Sequence, residues 1–346
     1  MPEIHEQYQK FNELKAIFIG GLNRSGTSLV LRLLDGHPKL LVYPTENCMI
    51  RDYFSVDSKH PIRKGMDEGM ASRDAQKVFD HIRIQPRAWQ LTRLRIKASA
   101  ELLWQRHPHP ERISDVFTSF NIQDFEKCFI VTLNLISSEW DIGHLVRAWN
   151  FSYFWTLGIQ DMTKFSGWVS KCPNSENHYG AYLSLFPKGR TIHILRDPRA
   201  IFISAKEKKK FSGQGQRELL SLQPFKELVL SIQTYKNRWA KVAEASQLYP
   251  SDFKILKYED LIQNPQREME KISHFLGIEY DAILLTPTFM GDPWYANSSF
   301  ELQKDKTGII FQDSLKRWQK EISIWERLLL NCHFSKILKE WNYPRY

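Results

Sequence analysis

The chain has 346 residues, 42% hydrophobic and 13% aromatic, ample material for one large α/β domain or two ordinary ones, so a disordered chain is excluded. With 48 Lys and Arg against 39 Asp and Glu, the formal charge is +9, which suits an anionic ligand. No ribonucleoprotein or zinc-finger pattern accompanies that charge, so a nucleic-acid partner is not expected. Nor does any stretch approach the about 20 apolar residues that span a bilayer. Cys48, Cys128, Cys172 and Cys332 are widely spaced without a C-x-x-C pair, so neither a metal site nor a disulfide framework is signalled. The leader from Met1 to Leu14 is polar and lacks an apolar signal core, and a cytoplasmic protein with reduced thiols is expected.

The first element is an apolar run, Ala16 to Ile19, of the kind that forms a fully buried strand. Gly20-Gly21-Leu22-Asn23-Arg24-Ser25-Gly26 follows, and then Leu29, Val30, Leu33 and Leu34 at helical spacing. Strand, glycine loop and helix make an anion cradle, because glycines let backbone amides approach a phosphate and a helix N-terminus is electropositive. Gly21 and Gly26 have the separation of the Walker loop G-x-x-x-x-G-K-[ST], but Thr27 stands where the lysine belongs. The loop is therefore fitted to a 5′-phosphate and poorly fitted to a magnesium-bound triphosphate.

Leu40 to Tyr43 reads as a second strand, ending at Pro44 and followed by Glu46. Residues 52–168 form a mainly helical insertion, with helical spacing over 75–84, 89–103, 124–138 and 144–157 and a break at His107-Pro108-His109-Pro110. The aromatic cluster of Trp149, Phe151, Tyr153, Phe154 and Trp155 reads as core, or as a ligand face if exposed. A third strand reaches Lys171 just before Pro173, with His178 nearby as a capping residue or a base. Thr191 to Leu195 is a fourth strand ending in Arg196-Asp197-Pro198-Arg199, and the proline suits a first helical position. Ser204 lies two helical turns on. Lys206 to Lys210 is a basic run leading into the loop Ser212 to Gly215, and 228–249 is an amphipathic helix with Trp239 inward. Phe253 to Lys257 is a fifth strand, and Tyr258-Glu259-Asp260-Leu261 opens a helical segment that runs to Leu276-Gly277. After the polar-aromatic stretch 287–302, Ser314-Leu315-Lys316-Arg317-Trp318 begins a last helix.

Asn23-Arg24-Ser25-Gly26-Thr27-Ser28, with Asp35-Gly36-His37-Pro38 closing the helix, resembles the phosphosulfate loop of sulfotransferases that use 3′-phosphoadenosine 5′-phosphosulfate (PAPS). The arginine form is similar to the branch holding tyrosylprotein and many bacterial sulfotransferases. The resemblance extends over four anchors between Ile17 and Trp318. It implies a single P-loop-type α/β domain over 1–346, with a central, mostly parallel sheet flanked by helices. It further implies that Arg24, Ser25, Gly26, Thr27 and Ser28 bind the 5′-phosphosulfate and that Arg196 and Ser204 grip the 3′-phosphate, with Lys208 assisting one turn later. Tyr258 would contact adenosine, and Lys316 and Arg317 would close the site. Glu46 is then the catalytic base, with His178 as its alternative, and a solvated loop acid is the other reading of Glu46. Lys171 would stabilise the bridging oxygen on which negative charge grows. The 52–168 insertion is assigned to the acceptor, expected to be a carbohydrate or small metabolite. The rival functions are a P-loop nucleotide or small-molecule kinase, which needs ATP and magnesium, and a non-catalytic nucleotide-binding protein.

Overall fold

Apolar residues alternate along the first strand in a way that feeds two cores at once. Ala16 and Phe18 pack on one side with Tyr8 and Phe11, while Ile17 and Ile19 pack on the other with Leu29 and Leu33. In a computed structural model describing residues 2–84, 120–211, 223–294, 307–312 and 315–344, this strand is the centre of the molecule. The sheet comprises β1 (Lys15–Gly21), β2 (Leu40–Glu46), β3 (Gly167–Lys171), β4 (Arg190–Leu195) and β5 (Phe253–Lys257). All pairs are parallel, in the spatial order β2-β3-β1-β4-β5. Helices Thr27–Leu34, Tyr258–Gln263 and Pro265–Leu276 cover one face. Helices Pro2–Glu13, Ile122–Asn134, Ile142–Thr156 and Tyr179–Leu185 cover the other. Both faces are therefore buried, which is why the strands read as continuous apolar runs. The chain leaves β1 toward β2 on one side and reaches β4 on the other. That reversal opens a crevice at the carboxyl ends of β1, β3 and β4, where ligands bind in such sheets.

The aromatic cluster on Ile142–Thr156 is core: Trp149, Phe151, Tyr153 and Phe154 are buried, and Phe125 meets Trp149 edge to face at 4.8 Å. Fully burying one such ring contributes about 1.5–3 kcal/mol. The expected helix 89–103 and the His-Pro break at 107–110 lie outside the described residues, as does the loop Ser212 to Gly215.

One strand boundary differs from the sequence expectation. β2 does not stop at Pro44 but continues to Glu46, with its register slipping between Val42 and Glu46. Proline lacks the N–H a central strand needs, yet β2 is an edge strand and the irregularity absorbs it. The slip sets Glu46 opposite Lys171.

His193 on β4 is fully buried, and burial lowers its pKa to about 3; its Nδ1 lies 2.6 Å from Tyr179 Oη. It is neutral in the fold, whereas the unfolded chain takes up a proton below pH 6.5. Its contribution is thus complete above pH 6.5 and is lost as pH falls toward 3, at about 1.4 kcal/mol per pH unit. Urea unfolding of the wild type and His193→Gln from pH 7 to 4.5 checks this. The wild type should lose roughly 3 kcal/mol more than the variant over that range, and parallel pH profiles would refute it.

Candidate functional site

The loop after β1 is built on backbone that only certain residues tolerate. Gly26 has φ +109°, and a Cβ there would lie 2.4 Å from the Tyr258 ring, so glycine is demanded twice over. Arg24 itself adopts a left-handed conformation, φ +73°. Asn174, just past β3, ties the loop down: its N–H donates to Gly21 O at 2.9 Å, and its Oδ1 accepts from Asn23 N at 3.1 Å. The helix Thr27–Leu34 starts from Gly26 with no side-chain cap, so its first amides face the crevice as donors. Ser25 Oγ is buried inside the loop without a hydrogen-bond partner.

The two motifs that are distant in sequence meet here. Arg24 Nε donates to Ser204 Oγ at 3.1 Å, and Arg196 Nη1 donates to Arg24 O at 2.9 Å. The Arg196 guanidinium also lies 4.4 Å above the Tyr258 ring. Tyr258 is buried between this cation and Gly26. Arg24 is held below the usual arginine range, first by burial and then by the charges of Arg196 and Arg317. Several cations brought together at a partly buried point make it attractive to an anion. Arg317, at the start of the helix Arg317–Glu321, pairs with Glu207 at 3.4 Å, while Lys316, the N-cap of that helix, is exposed. Ser204 sits on the helix Pro198–Phe211, and Lys208 falls one turn further along it.

Beside the loop, Lys171 is buried and its Nζ donates to Ser28 Oγ at 2.9 Å and Glu46 Oε1 at 3.3 Å. Glu46 keeps 33% of its side chain exposed, so a molecule arriving from solvent can reach it. His178 is not in this contact set; its Nε2 lies 3.1 Å from Ser55 Oγ, and its ring stacks on Phe54. Burial, with help from the charge of Arg51, lowers the His178 pKa.

The two arginines of Arg196-Asp197-Pro198-Arg199 divide their work. Arg196 joins Arg24 and Tyr258 beside the loop, but Arg199 is wholly buried, bound to Asp197 at 2.7 Å, to Asn331 Oδ1 and to Pro344 O. Glu259 accepts from Asp197 N at 3.0 Å and Tyr343 Oη at 2.9 Å, fixing the turn that aims Arg196. Sequence reasoning did not single out Asn174 or Glu259. Residue type carries no signal for either, since their roles are hydrogen bonds to backbone from distant segments.

Fold and site together define a P-loop-type α/β domain whose loop after β1 gathers arginine, serine and backbone donors. The Sulfotransferase family profile matches residues 16–282, and the chain belongs to that family. Curated relatives are the omega-hydroxy-beta-dihydromenaquinone-9 sulfotransferases of Mycobacterium bovis and Mycobacterium tuberculosis, each 27% identical over 186 residues. That alignment covers 51% of this chain and 42% of each relative, so less than half of their length is represented. Among solved structures, a sulfotransferase domain from the curacin biosynthetic pathway superposes with a TM-score of 0.50 at 16% identity, covering 96% of this chain and 99% of that one. This last likeness supports the fold.

Proposed function

We propose that this protein transfers a sulfuryl group from PAPS to a hydroxyl or amine of an acceptor. The observation that carries the reading is the meeting of Arg24, Arg196 and Ser204 from motifs 172 positions apart, beside a loop with threonine in the Walker-lysine position. The donor supplies an activated sulfuryl group whose departure leaves adenosine 3′,5′-bisphosphate. The uncapped helix start and the unpartnered Ser25 Oγ fit its 5′ end, so Arg24, Ser25, Gly26, Thr27 and Ser28 take that role. Arg196 and Ser204 take the 3′-phosphate, an arginine fork being matched to a phosphate monoester. Lys208, Lys316 and Arg317 add positive charge around it, and Tyr258 holds Arg196 and the loop in register.

Lys171 neutralises the charge that grows on the leaving oxygen, and Glu46, next to it and open to solvent, takes the acceptor proton. The acceptor approaches over the 52–168 side. Carbohydrates and small metabolites are the acceptors expected from sequence, and the names of the mycobacterial relatives add a lipid alcohol to the panel worth testing. A kinase reading requires a lysine on the outer phosphates, and Thr27 stands against it.

Isothermal titration with adenosine 3′,5′-bisphosphate and with ATP-Mg tests the donor. Binding of the bisphosphate at least tenfold tighter than ATP-Mg is the expected result, a difference of about 1.4 kcal/mol. Preference for ATP-Mg would transfer the assignment to the kinase class.

A further inference from the structure

The helix Thr27–Leu34 carries a cation that neither the phosphate loop nor the apolar core accounts for. Arg32 lies one turn after Ser28 and is only 8% exposed. Its guanidinium stands 4.2 Å above the Phe289 ring and 5.8 Å from that of Trp294. Burial lowers its pKa to about 10 against the pull of Asp35, and Nη1 is buried with no hydrogen-bond partner among the described residues. A buried charge with a donor left unused is costly, and an apolar side chain of similar length would fill the same space.

The hairpin of Thr288–Phe289 and Asp292–Pro293 does not need that charge. Asp35 fixes it, accepting from Thr288 Oγ1 at 2.8 Å and from Gly291 N at 2.9 Å. The charge is directed at β2 instead, where Arg32 Nη2 donates to Pro44 O at 3.2 Å. Pro44 sits inside the slip, after the pairing of Val42 with Val169 and before Glu46 faces Lys171. An edge strand interrupted by proline has few ladder bonds to set its register there. Yet a shift of one residue would turn Glu46 to the other face of the sheet, away from Lys171.

The same helix also holds the other partner, since Ser28 Oγ accepts from Lys171 Nζ at 2.9 Å. Ser28 and Arg32 therefore grip the two sides of the Glu46–Lys171 contact from one rigid element. We propose that Arg32 is a positioning residue for sulfuryl transfer, anchoring the slipped stretch of β2 so that Glu46 is presented to Lys171 and to the acceptor. This rests on the reading of Glu46 as the base. A displacement of about 1 Å at a reacting group can cost ~10²-fold in rate. An anchor remote from the bound nucleotide therefore acts on turnover and not on nucleotide affinity.

Arg32→Met tests the proposal, beside Arg32→Lys, which keeps a charged donor of shorter reach. Hydrogen exchange of the full chain reads the anchor directly, because Asn47 N–H donates to Lys171 O at 2.9 Å in this register. Amides of residues 45–48 should exchange at least about tenfold faster in Arg32→Met, and less so in Arg32→Lys. Adenosine 3′,5′-bisphosphate should bind both variants within about threefold of the wild type. Turnover of PAPS with the carbohydrate and lipid-alcohol acceptors should fall by about 10–100-fold in Arg32→Met at little-changed KM for PAPS, and Arg32→Lys should recover part of it. Added to Glu46→Gln, Arg32→Met should cause no further loss, because it acts through that carboxylate. Unchanged exchange at Asn47, or a loss of turnover that multiplies with that of Glu46→Gln, would overturn the proposal. Preference of the wild type for ATP-Mg would instead sink the donor reading, and exchange at Asn47 would still decide whether Arg32 holds Glu46 in place. Should Arg32→Met not fold, Arg32→Lys carries both comparisons.

Discussion

Lys171→Ala should lower turnover with PAPS by about 10²–10³-fold, the loss seen when one preorganised donor to a developing oxyanion is removed. The side chain is 7% exposed and held between Ser28 Oγ and Glu46 Oε1, so its ammonium enters the reaction already oriented and largely desolvated. Such a donor costs no reorganisation as charge develops. Affinity for the bisphosphate should change only a few-fold, because the contribution is made mainly in the transition state. Glu46→Gln supplies the companion measurement. Loss of a general base typically reduces rate by ~10²–10⁴-fold, and the amide retains an acceptor for Lys171. Single-turnover rates and bisphosphate titrations on both variants separate chemistry from binding. If Glu46→Gln turns over normally, the base is elsewhere and His178, beside Ser55, is next to be replaced. A Lys171→Ala enzyme with normal turnover would move stabilisation of the leaving group to the arginine loop.

Arg196→Ala should weaken adenosine 3′,5′-bisphosphate binding by about 100-fold or more. Charge-assisted hydrogen bonds contribute about 1.5–3 kcal/mol each, and arginine can make two to a phosphate. A second effect adds to the first: Arg196 holds the carbonyl of Arg24, which keeps that residue in its left-handed conformation. Its loss therefore loosens the 5′ cradle as well as the 3′ grip. Ser204→Ala, which removes a neutral donor, should cost about tenfold. Arg199→Ala, three residues away in the same motif, should behave in the opposite manner. With Asp197 left as an uncompensated buried charge, it should destabilise the fold by about 3–5 kcal/mol. Titration calorimetry and thermal unfolding on the two arginine variants make the comparison. Tight bisphosphate binding by Arg196→Ala would refute the anion-site assignment.

The outward side of the helix Ile324–His333 was not legible. A stripe such as Ile324, Trp325 and Leu328 reads as core until neighbouring helices are in place, yet all three are exposed. Cores are recognised by periodicity, and periodicity does not say which of two apolar sides a helix turns inward. Likewise, Arg196 and Arg199 are the same residue type in one four-residue motif, and local pattern could not assign one to ligand and the other to the core.

By itself, the sequence determined the five buried strands, the glycine loop with threonine in place of the Walker lysine, and the family. These are local properties: apolar runs long enough for strands, glycines at positions of positive φ, and residue types at short fixed spacing. Tertiary structure alone decided the continuation of β2 through Pro44 that sets Glu46 opposite Lys171. It also decided the burial of Tyr258 against Gly26, and the service of Asn174 and Glu259 to the loop and to the turn that carries Arg196. The physical reason is common to all of these. Each depends on hydrogen-bond register or van der Waals contact between segments far apart in the chain, which only the parallel sheet brings together.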